Sequence, residues 1–183
     1  DSLTVQAYLG LAAIKSKGRT VKMLWDRSES FVASTKRHSA KMNYRLGAKS
    51  DGTLHFLDVS ILMDTGPYDF LGGVVLTLAL EHSGGPYRIP NSTIRGWLVY
   101  TNNSLGGAFR GFGVPQVTAA MEQMIDILAT ELGICGLELR KKNALCQGDF
   151  TFLGKKINCS TGMMQCLDTL SENPAWKNRH QWK

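Results

Sequence analysis

The chain has little of what usually announces a metal site, a disulfide framework or a membrane span. Of its 183 residues only four are cysteine, four histidine and five proline. Cys135, Cys146, Cys159 and Cys166 are separated by 11, 13 and 7 residues, with no C-x-x-C pair. That spacing excludes the common zinc and redox-dithiol signatures, and buried free thiols are the expectation. His38, His55, His82 and His180 have no mutual spacing that suggests metal ligation. His82 ends an apolar segment and reads as a partly buried, satisfied histidine, whereas His38, in Lys36-Arg37-His38, reads as a solvated turn. The longest apolar run, 70–80, is too short to cross a bilayer, and no secretory leader is recognisable; a cytoplasmic location with no membrane partner is the expectation.

Catalytic signatures are equally scarce. There is no Gly-x-Ser-x-Gly elbow and no cysteine with a marked histidine partner, and Asp64, Asp69 and Glu81 cannot be paired for acid–base work from spacing alone. The net charge is +6 and the pI about 9.2, yet the basic residues are scattered and form no arm. A mildly basic solvated surface explains them better than a nucleic-acid partner does.

What is present is a globular composition, 43% hydrophobic and 20% charged. Leu3, Val5, Tyr8, Leu11 and Ile14 recur at helical spacing, with Asp1 or Ser2 as the cap, and Gly18 ends that helix. A short strand is expected over 21–25, entering a polar turn at 26–29. Residues 41–48 alternate, Lys49-Ser50-Asp51-Gly52 supplies a hairpin turn, and 53–63 reads as the partner strand. A buried helix over 74–82, a strand over 93–101 and a strongly periodic helix over 115–132 follow. Shorter helices are expected over 136–144 and 161–170, with a loop or weak strand over 150–157 between them. Without regular strand–helix–strand alternation, the pattern points to an α+β fold: an antiparallel sheet with helices packed on one side. Residues 1–183 form one unit, with a sub-boundary near 104–114. The start at Asp1-Ser2-Leu3 and the end at 176–183 read as those of a piece of a longer polypeptide.

The densest stretch is Gly107-Ala108-Phe109-Arg110-Gly111-Phe112-Gly113, between the 93–101 strand and the 115–132 helix. Glycine lets backbone N–H groups approach a ligand, Pro115 suits the first turn of a helix, and the helix N-terminus favours an anion. Arg110 adds a fixed charge. By generic pattern it is either a tight structural turn or an anion cradle, because the spacing matches neither the dinucleotide fingerprint nor the P-loop.

The segment 108–116 resembles the A-F-R-G-F-G-x-x-Q signature of the molybdenum-binding subunit of the xanthine dehydrogenase and aldehyde oxidase family. Arg37-His38-Ser39-Ala40, Asp64-Thr65-Gly66-Pro67-Tyr68, Pro86-Tyr87-Arg88-Ile89-Pro90-Asn91, Val99-Tyr100-Thr101-Asn102-Asn103 and Arg140-Lys141-Lys142-Asn143-Ala144-Leu145 match that family in type and order.

The resemblance implies a molybdopterin cofactor, often a dinucleotide, and a heterocycle or aldehyde hydroxylated with oxygen from water. Electrons would leave through iron–sulfur and flavin groups on other domains or subunits. It implies that Ala108, Phe109, Arg110, Gly111, Gly113 and Gln116 hold the cofactor, with Arg110 near molybdenum through its backbone. Phe112, Leu71, Thr77 and Leu78 would face the substrate. Xanthine-oxidising members carry Glu-Arg where this chain has Thr77-Leu78, so an aldehyde, a less polar heterocycle or a differently bound purine is favoured.

The family's Gly-Gly-x-Phe-Gly-Gly motif and its catalytic glutamate would lie outside this sequence. The expectation is therefore an inactive fragment with no catalytic residue of its own. Its partners would be the rest of the molybdenum subunit and, through uncovered core, a second copy. The competing expectation is a catalytically silent scaffold or assembly relative that binds a protein partner.

Overall fold

The computed structural model describes residues 4–179. The expected cap at Asp1 or Ser2, and His180, lie outside them. Helix α1 (Thr4–Lys15) is followed by an extended segment without a ladder partner where a strand was expected over 21–25. The expected turn at 26–29 instead opens α2 (Arg27–Ala33): Asp26 accepts from the Glu29 N–H at 2.8 Å, and the Glu29 carboxylate accepts from the Asp26 N–H at 2.9 Å. This reciprocal capping box satisfies two donors that a helix start leaves orphaned.

The hairpin stands as expected. β1 (Ala40–Ala48) pairs antiparallel with β2 (Leu54–Gly66), and Gly52 takes φ 84° in the turn. β2 then pairs with β3 (Asn91–Tyr100) in parallel, so the α+β sheet is mixed, where an antiparallel one was expected. The physical reason is α3 (Gly72–His82), which lies between the two strands. A helix-bearing crossover returns the chain to the same end of the sheet and so forces parallel pairing.

Helices α3 and α4 (Val114–Leu132) pack on one side of the sheet. Leu57, Val59, Ile61 and Met63 of β2 point into a core closed by Val75, Leu76 and Ala79 of α3 and Val117, Met121, Ile125 and Ala129 of α4. The other face of the sheet is open, with polar residues interleaved by exposed Phe56, Leu62 and Trp97. Gly133, at φ 65°, ends α4, and α5 (Gly136–Asn143) follows.

Buried Asn143 ties that helix to the hairpin. It accepts from the Leu54 N–H and donates to the carbonyls of Gly52 and Leu139, each at 2.9 Å. α6 (Met163–Glu172) packs Leu167 against Leu137 and Ala144, and a short α7 (Pro174–Lys177) follows. Cys135, Cys159 and Cys166 are exposed and Cys146 half-buried, where buried thiols were expected. The short C-terminal helices have only one inward side, and Leu167 takes it on α6, turning Cys166 outward.

Candidate cofactor-binding site

The glycine-rich loop is anchored at its base by two strand-like neighbours. Gly106 N–H donates to Thr65 O (3.0 Å), at the end of β2, and Gly107 N–H donates to Lys36 O (2.8 Å). Both positions must be glycine. A Cβ on Gly106 would lie 2.6 Å from His38 Cδ2, and one on Gly107 2.5 Å from Thr35 Cβ.

Beyond this anchor the chain makes two overlapping turns. Phe112 N–H closes the first on Phe109 O (2.8 Å), with Gly111 at φ 87° in its third position, the arrangement of a type II turn. Val114 N–H closes the second on Gly111 O (3.0 Å), with Phe112 at φ 50° and Gly113 at φ 92°. Positive φ on a bulky aromatic such as Phe112 is strained backbone of the kind that clusters at ligand sites. The contact with α3 holds it: a Cβ on Gly113 would run into Val75 O and lie 3.1 Å from Ala79 Cβ.

The loop leaves a run of donors unused. The backbone N–H groups of Ala108, Phe109, Arg110 and Gly111 have no hydrogen-bond partner among the described residues. Residues 108–112 line a cavity of about 420 Å³. Four consecutive free donors beside the positive end of a 19-residue helix suit a ligand rich in oxygen acceptors.

Arg37 grips the loop from behind. Its Nη2 donates to Arg110 O (2.7 Å), its Nη1 donates to Gln116 Oε1 (3.3 Å), and its guanidinium lies 4.7 Å from the Phe109 ring centroid. Gln116 Nε2 in turn donates to His38 O (3.2 Å), so both ends of the Gln116 amide are engaged inside the chain.

His38 is buried, 3% exposed, with both ring nitrogens unpartnered among the described residues, where a solvated turn was expected. Burial pulls its pKa below the ordinary histidine value, against the opposing charges of Asp69 and Asp64. The turn reading failed because the basic neighbours suggest solvent, while the ring actually packs beneath Gly106.

The other sequence candidates divide. Ala108, Phe109, Arg110, Gly111 and Phe112 line one cavity, with Phe112 also packed on the core. Leu71, at φ 58°, precedes α3 and is exposed. Leu78 is half-buried; Thr77 is exposed, its Oγ1 donating to Gly73 O. Helical spacing turns Thr77 away from the Val75–Ala79 side that meets the loop. Asp64 accepts from Gly66 N–H, Thr101 and Asn103, and hydrogen bonds from Thr101 and then Asn103 hold its pKa below the usual carboxylate range. Asp69 accepts from Gly72 N–H at the start of α3. His82, expected partly buried, is exposed at the end of α3, and its Nδ1 lies 2.9 Å from Leu78 O. Arg37 was legible only as part of a matching segment, because the loop it holds lies 73 residues away.

The profile of the molybdopterin cofactor-binding domain family matches residues 1–144. The chain belongs to that family. A probable xanthine dehydrogenase component of Bacillus subtilis is 44% identical over 97% of this chain and 24% of that protein. A nicotinate dehydrogenase large molybdopterin subunit of Eubacterium barkeri is 38% identical over 93% of this chain and 40% of that protein. Among solved structures, an aldehyde oxidoreductase of Desulfovibrio gigas superposes with a TM-score of 0.80 at 36% identity, over 92% of this chain and 18% of that one. The chain thus spans well under half the length of these relatives.

The loop fits what a molybdopterin-binding domain needs. Its unpaired N–H groups would suit the oxygen acceptors of such a cofactor, and the glycines leave the backbone open to approach. Among the described residues no three His, Cys, Asp or Glu side chains gather as a metal-binding group, and no helix is long and apolar enough to cross a membrane.

Proposed function

We propose that residues 107–116 form one wall of the molybdopterin site of a molybdenum hydroxylase. Its complete site includes polypeptide beyond this chain. When bound, that cofactor supplies a molybdenum centre that accepts two electrons as oxygen from water enters a heterocyclic or aldehyde carbon. This chain's share is to bind and orient. The N–H groups of Ala108, Phe109, Arg110 and Gly111 donate to the cofactor, and the α4 N-terminus adds favourable potential. The observation that carries this reading is the run of four unpartnered donors on a loop of positive-φ residues.

Gln116 serves that wall indirectly, through Arg37 and the His38 carbonyl. The Phe112 ring, lining the cavity, gives a planar substrate a stacking surface. Leu78, at the α3 position the family resemblance assigns to the substrate, carries no charge, so an aldehyde or an apolar heterocycle is favoured over a polar purine bound through a charged group. A purine would forgo a charge-assisted hydrogen bond of roughly 1.5–3 kcal/mol. The rest of the molybdenum subunit, and iron–sulfur and flavin domains or subunits, complete the electron path.

The test is molybdenum content. Gly111→Ala in the full-length protein is expected to lower molybdenum per protomer at least tenfold while far-UV circular dichroism is retained. Wild-type molybdenum in that variant would refute the assignment.

A further inference from the structure

The turn closed by Phe109 and Phe112 has one peptide whose flip separates its two common forms. It is the middle one, between Arg110 and Gly111. Its carbonyl accepts from Arg37 Nη2 at 2.7 Å. No cis peptide occurs among the described residues, so this unit is trans, with C=O and N–H on opposite sides. Fixing Arg110 O toward Arg37 therefore points the Gly111 N–H away from Arg37, and that N–H is one of the four unpartnered donors.

The guanidinium is held in turn. One nitrogen donates to Gln116 on the first turn of α4, and the face of the group lies over Phe109. A planar fork holds two acceptors and a ring in fixed relative directions; an ammonium is a compact point charge whose rotating donors do not fix them.

We infer that Arg37 is a positioning residue of the loop, and that its hydrogen bond to Arg110 O sets the direction in which the Gly111 N–H is offered to a bound cofactor. This rests on the reading of the loop as a cofactor wall, but the clamp itself is testable without cofactor. Arg37 touches neither substrate nor reacting atoms in this account. It acts by selecting the flipped middle peptide and so removing a conformation that any ligand would otherwise have to correct on binding.

The experiment uses the full-length protein with Arg37→Met and Arg37→Lys. It is prepared with cofactor, and without it from a host that cannot make molybdopterin. Amide exchange in the cofactor-free form is expected to quicken at least tenfold at Phe112 and Val114, whose N–H groups close the two turns. β2 should be unchanged, and Arg37→Lys should be intermediate. In the cofactor-bearing preparations, molybdenum per protomer is expected to fall at least fivefold in Arg37→Met.

Unchanged exchange at Phe112 and Val114 in both variants overturns the inference. Equal loosening of β2 does so too, since Arg37 would then merely hold the fold. If Arg37→Met does not fold, the same readings on Arg37→Lys decide, because it keeps the charge and the aliphatic stem. A loosened loop with full molybdenum would leave the clamp standing and overturn the cofactor reading.

Discussion

At the scale of single residues, the loop depends on positions where a side chain has no room or no comfortable backbone. Gly113 is the sharpest case, at φ 92° with Val75 O in the place of a Cβ. Gly113→Ala is expected to lower unfolding free energy by about 2–4 kcal/mol, from left-handed backbone strain and overpacking together. Gly133 makes the control, since it also has positive φ but open space around it. Gly133→Ala should cost about 1 kcal/mol, from the backbone alone. Urea midpoints of the two variants check both numbers, and equal losses would contradict the steric account. The glycines and the arginine of this loop were legible in the sequence. The positive φ of Phe112 was not, because nothing local forces an aromatic residue into that region; the α3 surface does.

At the scale of elements, the hairpin, α3, β3 and α4 could be read from periodicity and turn residues, because each is encoded within its own span. The parallel register of β2 and β3 could not, since it depends on where α3 packs rather than on either strand. The role of Asn143 was hidden for the same reason: its bonds with the Leu54 N–H and the Gly52 carbonyl join α5 to a turn some 90 residues away. Asn143→Leu would strand the buried Leu54 N–H and the Gly52 carbonyl, at a cost of about 2–4 kcal/mol. Chemical denaturation should show that loss with an unchanged m-value. A loss below about 1 kcal/mol would mean that water replaces the amide at those sites.

At the scale of the whole molecule, acid acts through buried and hydrogen-bonded groups. His38 has a folded pKa below its unfolded value, so its contribution is complete above about pH 6.5 and is lost as pH falls toward the folded value. Asp64 has the same sign at lower pH: its contribution is present above about pH 3.9 and is lost as pH falls through its lowered value. Stability should therefore begin to fall as pH drops below about 6.5, and His38→Leu should remove that first descent. Thermal midpoints across that range decide it; an unchanged slope in the variant would assign the descent to other groups. A second property of the whole is its uncovered apolar surface. Tyr8, Leu11 and Ile14 on α1, and Leu62 and Trp97 on the open sheet face, are exposed. Leu62 and Trp97 are cross-strand partners and the α1 residues recur at i, i+3 spacing, so each set is a cluster rather than a scatter of single residues. Sedimentation of this chain alone should show concentration-dependent association, and a strict monomer up to about 100 µM would contradict that.

The contact between Arg37 and Arg110 has a consequence in time. It closes a loop of 73 residues, against the five residues that join the hairpin strands. That span raises the entropic cost of closure by about 2 kcal/mol. During synthesis, at roughly 5–20 residues per second, the hairpin is complete a few seconds before Arg110 is added. The binding surface thus takes shape only after all three strands have been made, and a cofactor meets it on a chain that already carries the whole sheet.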